Sequence, residues 1–188
     1  MDKIPVRYWR ERSVATSIIP DNILKLKKEN DMTTKAFQDD YTDEFANCYG
    51  CGRLNKHGLQ IKSFWDGDES VCHFQPKHYH TGGFPGYVYG GLIASLIDCH
   101  AAGTASAVKY RNSGRDTDNN TPLRFVTASL HVDYLAPTPI DAILELRGNV
   151  KEIKGRKVIV GITLSAKGKV CVKGEVVVVQ IPEDFSRN

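Results

Sequence analysis

No run of apolar residues in the 188-residue sequence approaches the roughly 20 needed to cross a bilayer, which argues against a membrane span. The first residues, MDKIPVRYWRERS, carry charge but no apolar stretch, so they do not read as a secretory leader. A large surplus of one charge is missing too: 25 basic residues face 22 acidic ones, for a net charge of +3. A compact nucleic-acid binder shows a stronger or more clustered basic excess, so that class of partner is not expected. Cysteine is sparse. Five residues, an odd number with no leader, point to reduced thiols in a cytoplasmic setting. What remains is ordinary: 41% hydrophobic and 25% charged residues suit one globular domain large enough for a real core.

A second C-x-x-C is also absent. Cys48 and Cys51 form a lone pair, and a structural zinc site would need two more ligands. His57 offers a third at most. A thioredoxin-type motif should open a helix after a strand, whereas Gly52, Asn55 and Gly58 follow here. The pair therefore reads as a structural turn, with no metal. Cys72, Cys99 and Cys171 sit in apolar runs and read as small buried hydrophobes.

Residues 1–46 show mixed charge and little sustained alternation, and read as an N-terminal extension, partly helical. Ile23, Leu24 and Leu26 predict one short helix, and Ala36, Phe37 and Tyr41 a weaker second. Tyr8 and Trp9 read as an arm packed on the core. Residues 47–188 form the main domain. Leu59 to Phe64 alternates like a half-buried strand, Asp66-Gly67 signals a hairpin, and Val71 to Phe74 reads as the return strand. A turn-rich segment runs from Gln75 to Tyr89, where His78 and His80 read as surface histidines. From Gly90 to about Lys109 the residues are apolar or small all round, which predicts a buried helix. Arg111 to Thr121 is a polar loop. Four strands then follow: Phe125–Tyr134, Ala142–Ile153, Lys157–Ala166 and Lys169–Ile181. Short turns make neighbours antiparallel. The architecture expected is α+β: a curved antiparallel sheet wrapped around one long central helix.

Asp98 stands out inside that helix. A buried carboxylate without a partner costs several kcal/mol, so aspartate is rarely buried alone. Its helix neighbours Ala94, Ser95, Ala101 and Ala102 are small and leave space beside it. A carboxylate next to a gap suits a substrate channel; a subunit interface is the structural alternative. His100 points to another face. The helix opens with Gly90-Gly91, whose bare N–H groups and helix dipole suit an oxyanion. Eight positions, about 12 Å of helix rise, separate Gly90 from Asp98. Both can serve one carbonyl only if a second subunit supplies one of them.

These residues resemble the hot-dog-fold acyl-CoA thioesterase superfamily, in its phenylacetic-acid-degradation-type branch. Pro85-Gly86 with Gly90, Gly91 and Asp98 is similar to that branch's P-G-x-x-H-G-G-x-x-a-x-x-x-D/E signature. Cys48-Tyr49-Gly50-Cys51-Gly52 with Asn55, Gly58 and Leu59 resembles the opening of many members, where it is not known as a metal site. Tyr134-Leu135-Ala136-Pro137 resembles the strand end after the helix, and Gly155-Arg156 a later turn. The resemblance covers residues 47–181.

It implies a homodimer, often a dimer of dimers, with sites between subunits and no cofactor beyond the coenzyme A carried by the substrate. It implies Asp98 as general base or nucleophile, the Gly91 N–H polarising the thioester carbonyl, and Thr127 orienting the water, with Ser129 as fallback. Tyr89 and Gly90 then lie against the substrate. Arg156 and Lys157, and after them Lys154, Lys109 and Arg111, are the candidate cations for the coenzyme's phosphates. Tyr89 stands where the family usually has His; it can donate a hydrogen bond but is no base near neutral pH. The activity expected is hydrolysis of an acyl-CoA thioester. Non-catalytic acyl-CoA binding and dehydration of a hydroxyacyl thioester are the alternatives.

Overall fold

A 24-residue helix of mostly small and apolar residues organises the molecule. In the computed structural model, residues 35–114 and 123–182 are described, all within the unit Asp31–Asn188. The helix, α1, spans Gly90–Ser113. It starts after an extended Tyr89 and ends at Gly114, whose φ of 60° is the left-handed conformation that commonly closes helices. That cap carries it one turn past the end expected near Lys109. By length and composition alone α1 could cross a membrane, but it is the wrapped core helix of this fold.

Six strands surround it: β1 (Ser63–Asp66), β2 (Glu69–Phe74), β3 (Phe125–Tyr134), β4 (Leu144–Lys154), β5 (Lys157–Ala166) and β6 (Lys169–Gln180). They form one antiparallel sheet in the order β1-β2-β4-β5-β6-β3. This is the curved sheet around a central helix that the sequence predicts. Strict alternation in β5 buries Val158, Val160, Ile162 and Leu164 against the helix side. In β6, Val176 and Val178 are buried while Val177 and Val179 are half-buried. Leu96 and Ile97 of α1 complete this core. Each such side chain contributes about 1.5–3 kcal/mol of transfer free energy.

The strand expected over Leu59–Phe64 is displaced. Gln60 has a φ of 50°, which ends extended structure, and β1 begins only at Ser63. Leu59 and Ile61 instead donate to the carbonyls of Tyr49 (2.7 Å) and Gly50 (3.1 Å) and lie along the cysteine turn. The weak helix around Ala36–Tyr41 is a 3₁₀ turn, Phe37–Asp40. Ala36, Gln38 and Ala46 are buried, so this segment packs into the same body. The helix expected near Ile23, the arm at Tyr8 and Trp9, and most of the polar loop lie outside the described residues.

Gln38 reaches a polar cluster inside the apolar core. Its Oε1 accepts from the Ser63 N–H (2.8 Å), and its Nε2 donates to Ser63 Oγ (3.1 Å). Ser63 Oγ meets His100 Nδ1 at 2.8 Å, and Ser70 Oγ meets His100 Nε2 at 3.2 Å and Thr104 Oγ1 at 2.6 Å. Gly148 of β4 makes room, since a Cβ there would lie 2.3 Å from Ser70 Oγ. A neutral imidazole, accepting at Nδ1 and donating at Nε2, satisfies the whole chain.

Burial pushes the His100 pKa down to about 4, below the roughly 6.5 of an unfolded histidine. The unfolded state therefore binds the extra proton first. Stability is complete above pH ~6.5 and is lost as pH falls toward 4, by about 3 kcal/mol from this group. Urea unfolding at stepped pH should show that slope, and His100→Gln should remove it.

Candidate active site

One stripe of α1 escapes burial. Gly91, Ala94, Ser95, Asp98 and Ala102, spaced three or four apart, are each only half-buried. The carboxylate of Asp98 is thus on an open helix face rather than deep in the core. It has a partner: Thr127 Oγ1 of β3 donates to Asp98 Oδ1 at 2.5 Å. The other oxygen, Oδ2, has no hydrogen-bond partner among the described residues.

The aim of Thr127 follows from a kink in β3. Thr127 sits opposite Val178, a buried residue, and so faces the helix. Between Thr127 and Ser129 the register shifts, leaving Ala128 as an extra residue. The shift re-phases the strand, so that Leu130 and Tyr134 also oppose the buried Val176 and Val172. Ser129 opposes Val177 and faces the outer side of the sheet, away from Asp98. Among the described residues it is Thr127, not Ser129, that bonds the Asp98 carboxylate.

The start of α1 is framed by two tyrosines. Tyr134 donates its hydroxyl to the Gly90 carbonyl at 2.7 Å, a tie that sequence reading missed because nothing in the pattern marks it. Burial, and then the nearby Tyr89, raise the Tyr134 pKa. The Tyr89 ring lies over Gly91, where an added Cβ would be 2.4 Å from a ring carbon. Leu92 and Ile93 donate to the Tyr89 carbonyl, whereas the Gly91 N–H finds no acceptor among the described residues. Gly82, Phe84, Tyr87, Tyr89, Gly90 and Pro137 line a cleft at this end. Gly91 and Asp98 are seven positions apart, about 10 Å along the helix, too far to meet at one atom within a single chain.

The candidate cations gather at the other end of α1. Lys109 donates to the Gly155 carbonyl (2.7 Å), which places the Gly155-Arg156 turn there. Lys157 pairs with Glu152 at 3.2 Å, and Arg111 lies over the Trp65 ring at 4.9 Å. Lys109 is 18 positions from Gly91, or about 27 Å of helix. Arg156 and Lys157 therefore do not share the Gly91 cleft within one protomer.

Residues 85–173 match the family model for the thioesterase superfamily. A solved thioesterase superfamily protein from Shewanella loihica is 46% identical, with a TM-score of 0.57, over 76% of this chain and all of that one (100%). The chain belongs to the thioesterase superfamily. The acyl-coenzyme A thioesterase THEM4 of Rattus norvegicus is 29% identical over 147 residues, 76% of this chain and 51% of its own length. The chain thus spans about half the length of that relative. The E. coli PaaI protein of the phenylacetic acid degradation operon shares the fold, at 17% identity and a TM-score of 0.53 over 66% of this chain and 81% of its own.

In this thioesterase-superfamily chain the cysteine turn meets α1. Cys48 Sγ lies 3.7 Å from Cys99 Sγ, and all three sulfurs of Cys48, Cys51 and Cys99 fall within 4.8 Å of one another. Cys99 is buried, as expected, but it is also a member of this cluster. No local signal announces a partner 48 positions away. Hydrogen bonds from Cys51 and Cys99 hold the Cys48 thiol well below its ordinary range. The same contact to Cys48 pushes Cys51 up to about 12, and Cys99 is also raised by its contact to Cys48. Gly50 permits the approach, since a Cβ there would lie 2.2 Å from Cys99 Sγ. Gly50→Ala should destabilise the fold by about 1–3 kcal/mol. Gly83→Ala, where nothing lies within 4 Å, should change it by less than ~0.5 kcal/mol in the same denaturation series.

Proposed function

We propose that the chain hydrolyses an acyl-CoA thioester to the free acid and coenzyme A, as a homodimer with composite sites and without a cofactor. The observation that carries this reading is the Thr127–Asp98 hydrogen bond on the uncovered face of α1. The relative named as an acyl-coenzyme A thioesterase supports the substrate class.

The chemistry follows from what each group offers. Thr127 occupies Oδ1 of Asp98, which leaves Oδ2 to accept a proton from water. That water attacks the thioester carbonyl carbon. The oxyanion that forms is met by the Gly91 N–H of a second copy, aided by the positive end of its helix. The tetrahedral intermediate then expels the coenzyme thiolate, which is reprotonated. Gly90 and Tyr89 line the acyl side of the cleft, with Tyr89 donating a hydrogen bond where the signature this chain resembles has His. Arg156 and Lys157 of one protomer are available to the coenzyme's phosphates only from a site completed across the interface. Five free thiols suit a reducing, cytoplasmic compartment.

Asp98→Asn should lower turnover at least ~100-fold in a thiol-release assay over short, medium, long and aryl acyl-CoAs, with the fold kept. Single turnover in oxygen-18 water should place the label in the product acid on the first cycle. Unlabelled first-cycle acid would assign Asp98 as nucleophile instead. Saturable coenzyme binding with no thiol release from any of these substrates would replace hydrolysis by a binding function.

The second copy has a place to dock. Strand β3 is an edge of the sheet, ten residues long, and eight of its positions are exposed. A long free edge carrying Val126, Leu130 and Tyr134 on its exposed surface favours pairing with another strand. A second β3 laid against it would bring two α1 stripes face to face. The chain should sediment as a dimer or a multiple of one. Val126→Lys, which places a charge on the edge, should weaken the dimer at least ~10-fold and reduce thiol release in step.

A further inference from the structure

We propose that Cys48, Cys51 and Cys99 form a thiolate site for a soft divalent cation of the zinc class, clamping the cysteine turn to α1 one position from Asp98. Three sulfurs from two distant segments converge within 4.8 Å. The Cys48–Cys99 separation of 3.7 Å matches the ~3.8 Å between two sulfurs on a tetrahedral zinc with bonds of about 2.3 Å. Sequence spacing offered only two of the sulfurs; the helix supplies the third.

The turn is built to hold them there. Gly52 donates to the Cys48 carbonyl at 2.8 Å and closes it. A Cβ on Gly52 would lie 2.4 Å from the Ala46 carbonyl oxygen, and one on Gly50 would strike Cys99 Sγ, so the loop folds as tightly as glycine permits. Leu54 donates to Ala46, and Leu59 and Ile61 to Tyr49 and Gly50, which fixes the turn from both sides. The sulfurs are therefore organised before a cation arrives, and little ordering is left to oppose binding.

The geometry also gives access and selectivity. Cys51 and Cys99 are buried, but Cys48 is exposed, so a cation can enter past it and keep one position for water. Thiolate donors favour zinc-class ions over magnesium or calcium. Each thiol that is still protonated releases its proton as its S–metal bond forms, so uptake is coupled to proton release and involves no oxidation. Its test reads metal uptake, not turnover.

The full chain, reduced and stripped with a chelator, should retain one equivalent of added Zn²⁺ through desalting. Added Co²⁺ should give a thiolate-to-cobalt charge-transfer band, and Zn²⁺ should raise the melting temperature by at least ~5 °C. Cys48→Ser and Cys99→Ser should each weaken Zn²⁺ binding at least ~100-fold. Cys171→Ser, at a buried cysteine outside the cluster, should leave it unchanged. The proposal is overturned if the folded, reduced wild-type chain retains no Zn²⁺ and shows no cobalt band. Retention undiminished in Cys99→Ser overturns it as well. So does the finding that oxidised glutathione forms a Cys48–Cys99 disulfide in a chain that never takes up metal.

Discussion

A single helix is too narrow to cover the concave face of a six-stranded sheet. Five inter-strand gaps span about 24 Å, while a helix with its side chains is about 10–12 Å across. Something else must cover each flank, or the flank stays open. On the β1 side the chain closes the gap itself. The Phe37–Asp40 turn packs there, with Phe37 against Trp65 at 5.1 Å and Gln38 bonded to Ser63. β1 is only four residues long, a short edge of the kind that resists further pairing. On the β3 side no described residue closes it, and that is where the half-buried stripe of α1 and the exposed ten-residue strand meet. The candidate site is the uncovered part of the core.

That asymmetry explains the different fates of two polar residues on one helix. Asp98 and His100 are two positions apart and so point about 160° away from each other. His100 faces the covered flank, where the hydroxyls of Ser63 and Ser70 satisfy its two ring nitrogens, and it stays neutral. Asp98 faces the open flank, where one hydroxyl holds one oxygen and the remainder of the carboxylate is left for chemistry. The first is a fixed structural network and the second a partly satisfied group beside space. Only the second arrangement suits a base that must gain and lose a proton at each turnover.

Much of this was legible in the sequence, for physical reasons. The helix could be read because an all-round apolar segment must be buried, and Asp98 because it broke that rule. Strands β3, β5 and β6 could be read because period-two alternation and β-branched runs fit a half-covered sheet. Thr127 needed a family register rather than a period. Ser129 shows what a period cannot reveal: one extra residue at Ala128 turns the following side chains over, and alanine carries no mark of a bulge. Gln60 concealed a left-handed break inside an alternating stretch, because glutamine is no turn signal. The Tyr134–Gly90 tie and the approach of Cys99 to Cys48 depend on tertiary closeness across 44 and 51 positions, which no local pattern encodes.

The close approach of the cysteine turn bears on the site as well as on its own chemistry. The turn lies against α1 at Ser95 and Cys99. Asp98 is bonded by Thr127 and is followed directly by Cys99, a member of the thiol cluster. A turn held this tightly also fixes the rotation of α1 about its axis, and with it the direction in which Asp98 points. The stripe is open because the sheet outruns the helix; it is aimed because the cysteine turn packs on the helix at Ser95 and Cys99 while Thr127 binds Asp98 itself.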